Sequence, residues 1–248
     1  MTKKRRTIIL IVLGVIVICC AAFIINSKLA SNRSEKAVDE LKEKVVEKVD
    51  IPIDFEAAWD VNEDVIAWIT IPNTTVDYPL LQSPDEDNYY VNHDLNKVEN
   101  WIPGSIYINL TNSSDLTDNN TVIYGHNVHM ASDNGQGTMF GDLQKFYDEE
   151  FFKENKEIII YTPEHIYTYE IFAAVTYNNK LITALYDLDD KDGYQAFLDS
   201  LNNTNMARDN YTDKEVTVDD KIITLSTCTI DHDHDYRFLI TAVLVDEQ

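Results

Sequence analysis

The sequence predicts a mainly β domain with peripheral helices, preceded by one transmembrane helix. Three observations lead to this fold class. The run Thr7–Ile25 contains no charged residue. From Val65 onward, short apolar or β-branched segments alternate with polar turns, as they do in β-sheet proteins. Amphipathic stretches with helical spacing lie before and between these segments. With 7 Gly and 6 Pro in 248 residues, the chain is not of low complexity.

The N-terminal run has the length and the flanking charge of a membrane anchor. At about 1.5 Å per residue, Thr7–Ile25 spans roughly 28 Å as a helix, close to the thickness of a bilayer core. Lys3–Arg6 precede it, which favours a cytoplasmic N-terminus at residues 1–6 and an extracellular chain from Asn26 onward. A cleaved signal peptide is the competing interpretation, but the run is longer than a usual signal core. We therefore expect an uncleaved, single-pass anchor at residues 7–25.

Charge and cysteine content limit the functions that the extracellular part can have. All 43 acidic residues follow Ile25, and the whole chain has a formal net charge of −23. Such a surface repels nucleic acid and anionic lipid headgroups. Cys19 and Cys20 fall in the apolar run, so Cys228 is the single thiol of the outer domain. A domain without a disulfide relies on its core, and a lone thiol outside the cell calls for a reason.

Two helices are predicted before the β-rich domain. Ser34–Val49 places apolar residues at three- and four-residue steps, with Ser34 as its N-cap. Asp54–Asn62 is predicted as a short second helix capped by Asp54. We interpret residues 26–62 as a helical stalk with N-terminal helices, and residues 63–248 as the main domain. For the first helix, a solvated spacer is an equally compatible interpretation.

Eight strands are predicted in the main domain, and their continuous apolar runs suit a closed barrel or a covered sheet. They are Ile66–Ile71, Val76–Leu81, Ser105–Ile108, Thr121–Tyr124, Glu157–Thr162, Ile166–Tyr177, Lys221–Thr227 and Phe238–Val245. Helical spacing predicts two helices between them, Thr138–Phe151 and Asp190–Leu201. The polar tract Thr111–Asn120 is predicted to be a surface loop.

The last two strands place a cysteine opposite an arginine. If they pair as a hairpin, the turn brings Cys228 and Arg237 to the same end of the sheet. A guanidinium stabilises a thiolate, which is the nucleophilic form of cysteine. A buried structural thiol is the alternative, because free cysteines are often buried. The polar neighbours Thr227 and Thr229 favour a reactive thiol instead.

A thiol nucleophile needs a proton donor for its leaving group, and histidine is the usual one. His126 follows the apolar strand Thr121–Tyr124 directly. Gly125 allows a tight exit from that strand, and Asn127 is positioned to hold the imidazole. Spacing alone favours the simpler interpretation, because a lone histidine of this kind is more often a surface residue or one hydrogen-bonded within the fold.

The loop Asp231–Asp235 reads DHDHD and suggests a second interpretation. His232 and His234 alternate with aspartates, and together with His126 and His129 they offer ligands for zinc or another transition ion. Metal-site spacing is normally supported by a helix or by paired motifs, and neither is present here. A solvated acidic turn is therefore the simpler interpretation.

These motifs resemble one known family. TLSTC ending a strand, an arginine opening the next strand and YGHN well upstream are similar to the motifs of sortases, the cysteine transpeptidases of Gram-positive cell surfaces. The resemblance spans about Val61 to Val245. Class B is indicated by four segments, Asn88–Leu95, Gly104–Ile108, Asn120–Asn127 and Gly137–Phe146. A papain-like protease has its cysteine before its histidine, and a caspase has a different cysteine motif.

The resemblance implies a fold, a reaction and site residues. The fold would be an eight-stranded sortase-type β-barrel with a helix between the sixth and seventh strands. Cys228 would be the nucleophile, His126 the general acid and then base, and Arg237 the third member, which stabilises an oxyanion or orients the peptide. Cys228 would cleave a C-terminal sorting signal of a secreted protein through a thioester. A peptidoglycan amine would then accept the protein, with no cofactor required.

Further residues follow from the resemblance with less support from the sequence. Asn92, Tyr124 and Ser226 occupy positions that line the substrate groove in class B. The structural alternatives are a turn cap for Asn92, a core aromatic for Tyr124 and a strand-end hydroxyl for Ser226. The loop Thr229–Tyr236 is richer in Asp and His than the family pattern, so we expect it to point away from the thiol or to shape substrate entry. His232 and His234 are weaker candidates for the proton donor.

Two alternatives stay open at this level. The chain could be a non-catalytic extracellular domain that binds a metal or ligand through Asp231–Asp235. Within the enzyme class, water could resolve the thioester, which would make the protein a peptide hydrolase. Replacement of Cys228 separates the first alternative from the enzyme, and an added amine acceptor separates the second.

Overall fold

A computed structural model describes residues 3–45, 51–100, 103–129, 137–202, 204, 208–231 and 233–248. Five α-helices lie in these ranges: α1 (Lys3–Val45), α2 (Phe55–Val61), α3 (Glu149–Glu154), α4 (Ile182–Leu185) and α5 (Lys191–Leu201). Two 3₁₀-helices cover Tyr89–Val91 and Gly141–Tyr147. The strands are β1 (Val65–Thr70), β2 (Asp77–Leu81), β3 (Ile106–Ile108), β4 (Asn120–Tyr124), β5 (Asn127–His129), β6 (Gly137–Met139), β7 (Glu157–Tyr161), β8 (Ile166–Asn178), β9 (Asn210–Tyr211), β10 (Ile222–Cys228) and β11 (Tyr236–Glu247).

Eight of the strands close into a barrel. The sheet runs β11-β10-β4-β3-β2-β1-β7-β8, and pairing of β8 with β11 closes the ring. The short β9 adds to β8, while β5 and β6 form a separate two-stranded sheet. Pairs β2–β3 and β4–β10 are parallel, and the other barrel pairs are antiparallel. The predicted mainly β fold with an eight-stranded barrel is confirmed.

The predicted strands correspond one to one with the barrel strands, and their ends differ by at most two residues. These strands were predictable from their runs of Ile, Val and other β-branched residues, because such side chains pack well on a pleated surface. The short strands β5, β6 and β9 were not predicted. They have two or three residues each and carry no apolar periodicity.

Two apolar clusters stabilise the domain. The larger one joins α1, α2 and the Gly141–Tyr147 segment to the barrel and contains Trp68, Phe140 and Phe238. The smaller one packs α5 onto β8, β10 and β11. The helix predicted at Asp190–Leu201 is α5, with Asp190 as its N-cap and its four large apolar residues buried. Burial of each such side chain contributes about 1.5–3 kcal/mol.

The N-terminal helix differs from its prediction. Ser34 was predicted to cap a new helix, but it lies inside the continuous helix α1 and its hydroxyl is buried there. Val38 and Leu41 of the predicted apolar stripe are buried in the larger cluster. Val49, the last residue of that stripe, lies outside the described residues. The short helix α2 forms as predicted, because Asp54 Oδ1 accepts a hydrogen bond from Ala57 N at 3.2 Å.

Among the described residues, no helix is both long enough and apolar enough to cross a membrane. The predicted anchor at Thr7–Ile25 lies within α1, but the side chains of residues 7–15, 17 and 18 lie outside the described part. The anchor therefore stays a prediction.

The helix predicted at Thr138–Phe151 was wrong. This stretch instead contains the end of β6, a 3₁₀-helix and the start of α3. Met139 adopts a left-handed backbone with φ of 52°, which interrupts any α-helix there. Asp148 then caps α3 through Phe151 N at 2.8 Å. The buried apolar residues Met139, Leu143 and Phe146 lie at steps of four and three, so their spacing was also compatible with an α-helix.

Candidate active site

A pair of parallel strands brings His126 and Cys228 to one edge of the barrel. Strand β4 lies beside β10, with Tyr124 in register with Ser226. Gly125 N continues the pairing by donating to Ser226 O at 3.2 Å. His126 and Cys228 each follow the registered residue by two positions. Because parallel strands end at the same edge, both side chains lie at the carboxyl end of this pair.

The hairpin of β10 and β11 adds Arg237 to the same edge. The predicted pairing is confirmed, because Cys228 lies directly opposite Arg237 in the antiparallel register. Arg237 Nη1 donates to Tyr236 O at 2.8 Å and to His234 O at 3.4 Å. Since a guanidinium has five N–H donors, others remain for a ligand. Both Cys228 and Arg237 are partly exposed.

His126 is held by main-chain groups of two other segments. Its Nε2 lies 2.7 Å from Val91 O, at the end of the 3₁₀-helix Tyr89–Val91. A carbonyl oxygen only accepts, so Nε2 carries the proton in this contact. On the other side, Phe140 N donates to His126 O at 2.9 Å. A Cβ on Gly125 would meet the Phe140 ring at 2.7 Å, so glycine is required for this close packing.

The electrostatic surroundings favour the neutral form of His126. Burial lowers the pKa of His126, and the positive charge of Arg237 lowers it further. The hydrogen bond to Val91 O acts in the opposite direction and offsets part of this effect. The ring is therefore neutral near pH 7, and Nδ1 is available to accept a proton.

Two buried amides hold the backbone of Cys228. Asn127 Nδ2 donates to Cys228 O and Thr229 O, both at 3.2 Å. Gln144 Nε2 donates to Cys228 O at 3.2 Å as well. The prediction that Asn127 holds the imidazole of His126 was wrong, because its amide reaches across to the neighbouring strand end. The peptide that carries the thiol is thus fixed by side chains from two other segments.

A cleft of about 220 Å³ opens at this edge, and its walls include the three candidate catalytic residues. Tyr124 and Ser226 also line it, and their contact with a substrate stays a prediction. Tyr124 stacks on Tyr107 with ring centroids 5.5 Å apart, and burial raises the pKa of Tyr124 to about 12. A further part of the lining comes from the end of β8 and the residues after it, Asn178, Asn179, Lys180, Leu181 and Ile182.

Asn92 is not among the residues that line the cleft. It follows Val91, and its Nδ2 donates to Glu99 Oε1 at 3.4 Å. The structure therefore brings together Cys228, His126 and Arg237 with two of the three predicted groove residues. A substrate contact by Asn92 stays a prediction.

The acidic loop is held by Thr229 and by Asn179, and its described residues do not line the cleft. Asp233 N donates to Thr229 Oγ1 at 3.2 Å, and His234 O accepts from Asn179 Nδ2 at 2.8 Å. Within the described part of the chain, no group of three or more His, Cys, Asp and Glu residues is arranged to hold a metal. His232 and the side chain of His129 lie outside that part.

Comparison with known proteins identifies the family of this chain. Residues 69–245, most of the chain, match the family described as the sortase domain. The chain belongs to the sortase family. This sortase is 32% identical over 186 residues to sortase B of Listeria monocytogenes, which covers 75% of this chain and 71% of that relative. Sortase B of Staphylococcus aureus is 31% identical over 174 residues, which covers 70% and 67%.

A solved structure of sortase B from Bacillus anthracis has a TM-score of 0.71 and 27% identity to this sortase. The match covers 88% of this chain and 99% of that structure. These relatives confirm the predicted assignment to class B. The sortase is thus an enzyme of the cysteine transpeptidase family.

Several supporting groups of the site were not predicted from the sequence. Val91 acts through its carbonyl oxygen, which no side-chain pattern reveals. Gln144 is a buried amide in a stretch that also contains Asp142 and Lys145, so its residue type gave no signal in the sequence. Phe140 appeared only as one apolar residue of a predicted helix.

Proposed function

We propose that this sortase cleaves the C-terminal sorting signal of secreted proteins and joins the cleaved protein to an amine of a peptidoglycan precursor. The observation that carries this proposal is the convergence of Cys228, His126 and Arg237 at the edge shared by β4, β10 and β11. A cysteine, a neutral histidine and a guanidinium lining one cleft are the groups that acyl transfer through a thioester requires.

In the proposed first step, Cys228 Sγ attacks a backbone carbonyl carbon of the sorting signal. Nδ1 of His126 takes the thiol proton, since burial and Arg237 keep the ring neutral beforehand. Negative charge develops on the carbonyl oxygen, and Arg237 stabilises it with its remaining N–H donors. The C–N bond then breaks, His126 protonates the departing amine, and an acyl thioester is left on Cys228.

In the second step, the amine nitrogen of the acceptor attacks the thioester carbon. His126 accepts a proton from this amine, the C–S bond breaks, and His126 passes the proton to the departing Cys228 sulfur, which restores the thiol and the neutral ring. Tyr124 and Ser226 contact the peptide in the cleft, and Asn92 is retained as a candidate contact at its rim. Attack by water instead of the amine would give simple hydrolysis.

The proposal includes the location of the enzyme. The charge-free run Thr7–Ile25 and the preceding Lys3–Arg6 support a single-pass anchor with a cytoplasmic N-terminus and an extracellular catalytic domain. There the secreted substrate and the wall precursor are both present.

The test compares the purified full-length chain with Cys228→Ala. Each is incubated with a panel of fluorogenic sorting-signal peptides, with and without a primary amine acceptor, and products are identified by mass spectrometry. Cys19→Ala with Cys20→Ala is the matched control, because it removes the other two thiols. We expect an amine-linked product from wild type and from the control, and none from Cys228→Ala.

Two results would contradict the proposal. Turnover by Cys228→Ala would exclude this thiol as the nucleophile. A hydrolysed product alone, even at high amine concentration, would show a hydrolase rather than a transpeptidase. If no peptide reacts, alkylation of Cys228 by iodoacetamide in the folded wild-type protein distinguishes an inactive protein, whose thiol does not react, from an unsuitable peptide panel.

A further inference from the structure

One buried tyrosine connects helix α1 to the segment that supports His126. Tyr78 of β2 is 3% exposed, and its hydroxyl donates to the Glu35 carboxylate of α1, 3.3 Å from each oxygen. The same hydroxyl accepts a hydrogen bond from Met139 N at 3.2 Å. Tyr78 therefore contacts both the N-terminal helix and strand β6.

Met139 is adjacent to the histidine loop in space. It lies in register with Asn127, the residue after His126, in the two-stranded sheet of β5 and β6. The next residue, Phe140, donates its N–H to His126 O and packs its ring on Gly125. A shift of Met139 would thus move both contacts that Phe140 makes with the His126 loop.

The backbone of this segment needs external support. Met139 has φ of 52°, a left-handed conformation that residues other than glycine rarely adopt. The far end of β6 is anchored, because Thr75 Oγ1 donates to Gly137 O at 2.6 Å and Gly137 N donates to Asp142 Oδ1 at 2.9 Å. The Tyr78 hydroxyl supplies the hydrogen bond at the end nearer to His126.

We propose that Tyr78 is a positioning residue for His126 and that Glu35 extends this control to helix α1. The proposal rests on the function proposed above, in which His126 transfers protons. Docking of the N-terminal helix then affects catalysis through the path Glu35, Tyr78, Met139, Phe140 and His126, although none of the α1 side chains that the structure describes lines the cleft.

Loss of the Tyr78 hydroxyl has a defined physical consequence. Burial, with the Glu35 carboxylate nearby, raises the pKa of Tyr78, so the hydroxyl stays protonated and makes both hydrogen bonds. Phenylalanine would leave Met139 N–H buried without its acceptor, which favours a shift of the segment. The His126 ring would then lose part of the burial that lowers its pKa.

The experiment uses the full-length chain, four test and control variants, and a fifth variant for signal assignment. Tyr78→Phe removes the hydroxyl, and Tyr194→Phe is the matched control. Tyr194 is 1% exposed, and its hydroxyl donates to Asp220 O at 2.9 Å in the other apolar cluster. Glu35→Gln keeps an acceptor for Tyr78, whereas Glu35→Ala removes it. The readouts are kcat/KM, thermal unfolding and the titration of His126 by NMR, with its signal assigned from His126→Gln.

We expect Tyr78→Phe to lower kcat/KM roughly tenfold, because a small displacement of a catalytic group is costly. The pKa of His126 should rise in this variant and stay unchanged in Tyr194→Phe at similar loss of thermal stability. Glu35→Ala should show part of both effects, and Glu35→Gln should match wild type.

The titration separates this proposal from the proposed function, because it reports on the His126 environment whether or not the peptides react. An unchanged His126 titration in Tyr78→Phe would overturn the positioning role. Unchanged behaviour of Glu35→Ala would overturn the connection to α1. If Tyr78→Phe does not fold, Glu35→Ala tests the same path, because it removes the carboxylate that holds the Tyr78 hydroxyl, and an unchanged His126 titration in that variant would overturn the whole proposal.

Discussion

The nucleophile and the proton-transfer residue are held by different kinds of structure. Cys228 and Arg237 lie in β10 and β11, where strand pairing fixes their backbones. His126 lies between β4 and β5 and depends on Val91 O, Phe140 N and the ring that covers Gly125. Strand register sets the first pair through many cooperative hydrogen bonds. The histidine is set by a few contacts, so single changes far from the cleft are expected to affect it.

The largest effect is expected on the strand-held side. Arg237→Ala should lower kcat/KM by roughly 10²–10³-fold with an intact fold, because it removes charge stabilisation and leaves the pairing unchanged. Arg237→Lys should recover little, since an ammonium lacks the planar fork of donors. Steady-state kinetics test both variants. Arg208→Ala is the control, because its guanidinium lies over Tyr147 rather than in the cleft. Near-normal rates for Arg237→Ala would exclude the proposed role.

The histidine side should be sensitive to packing. In Gly125→Ala the new Cβ meets the Phe140 ring at 2.7 Å, so the ring or the His126 loop must shift. We expect kcat/KM to fall about tenfold and stability to fall by about 1–3 kcal/mol. Phe140→Leu combined with Gly125→Ala should recover part of the activity by making room. Additive losses in the double variant would argue against this contact, as measured by kinetics and urea unfolding.

The side-chain amides of Asn127 and Gln144 both donate to the Cys228 carbonyl. The loss of stability on replacing each residue should follow the number of hydrogen bonds that its amide makes. Asn127→Ala removes two bonds and Gln144→Ala removes one, at about 1 kcal/mol for each. We therefore expect Asn127→Ala to be the more destabilising variant in urea unfolding, with a modest loss of kcat/KM in both. The reverse order would indicate that Gln144 supports the site mainly by packing.

The smallest effect concerns pH. The pKa of His126 in the folded state is lowered from the ordinary 6.5, so protonation favours unfolding. The stability that the neutral His126 ring contributes is fully present above the pKa of this residue in the unfolded chain. It is lost as pH falls through the lower pKa of His126 in the folded state. Urea unfolding at several pH values should show a shallower loss of stability on acidification in His126→Gln than in wild type. Equal slopes would mean that the ring is not desolvated.

The barrel was predictable because its strands are encoded locally. Ile222–Cys228 and its partner strand are nearly continuous β-branched and apolar runs, and their closeness in sequence predicted the hairpin that aligns Cys228 with Arg237. Parallel pairing of β4 with β10 joins segments far apart in the chain, so no local pattern signals it. The family resemblance, rather than spacing, connected His126 to Cys228.

The supporting layer of the site escaped prediction for physical reasons. Val91 contributes a main-chain oxygen, and any residue at that position would present one. The stretch from Thr138 has apolar spacing that fits an α-helix, but Met139 takes a left-handed backbone that its residue type disfavours. Tertiary contacts, including Tyr78 to Met139 N, offset that local preference.

The parallel register of β4 and β10 has a consequence for how this chain can change in evolution. His126 and Cys228 are each two residues beyond the registered pair Tyr124 and Ser226, so their separation in space does not depend on the chain that connects them. Insertions or deletions between β8 and β10 can therefore remodel the cleft wall without displacing the reacting groups. An insertion of one residue directly after Tyr124 or Ser226 would misalign them at once. New substrate preferences are accordingly expected to arise by length variation between β8 and β10, and not by insertion directly after Tyr124 or Ser226.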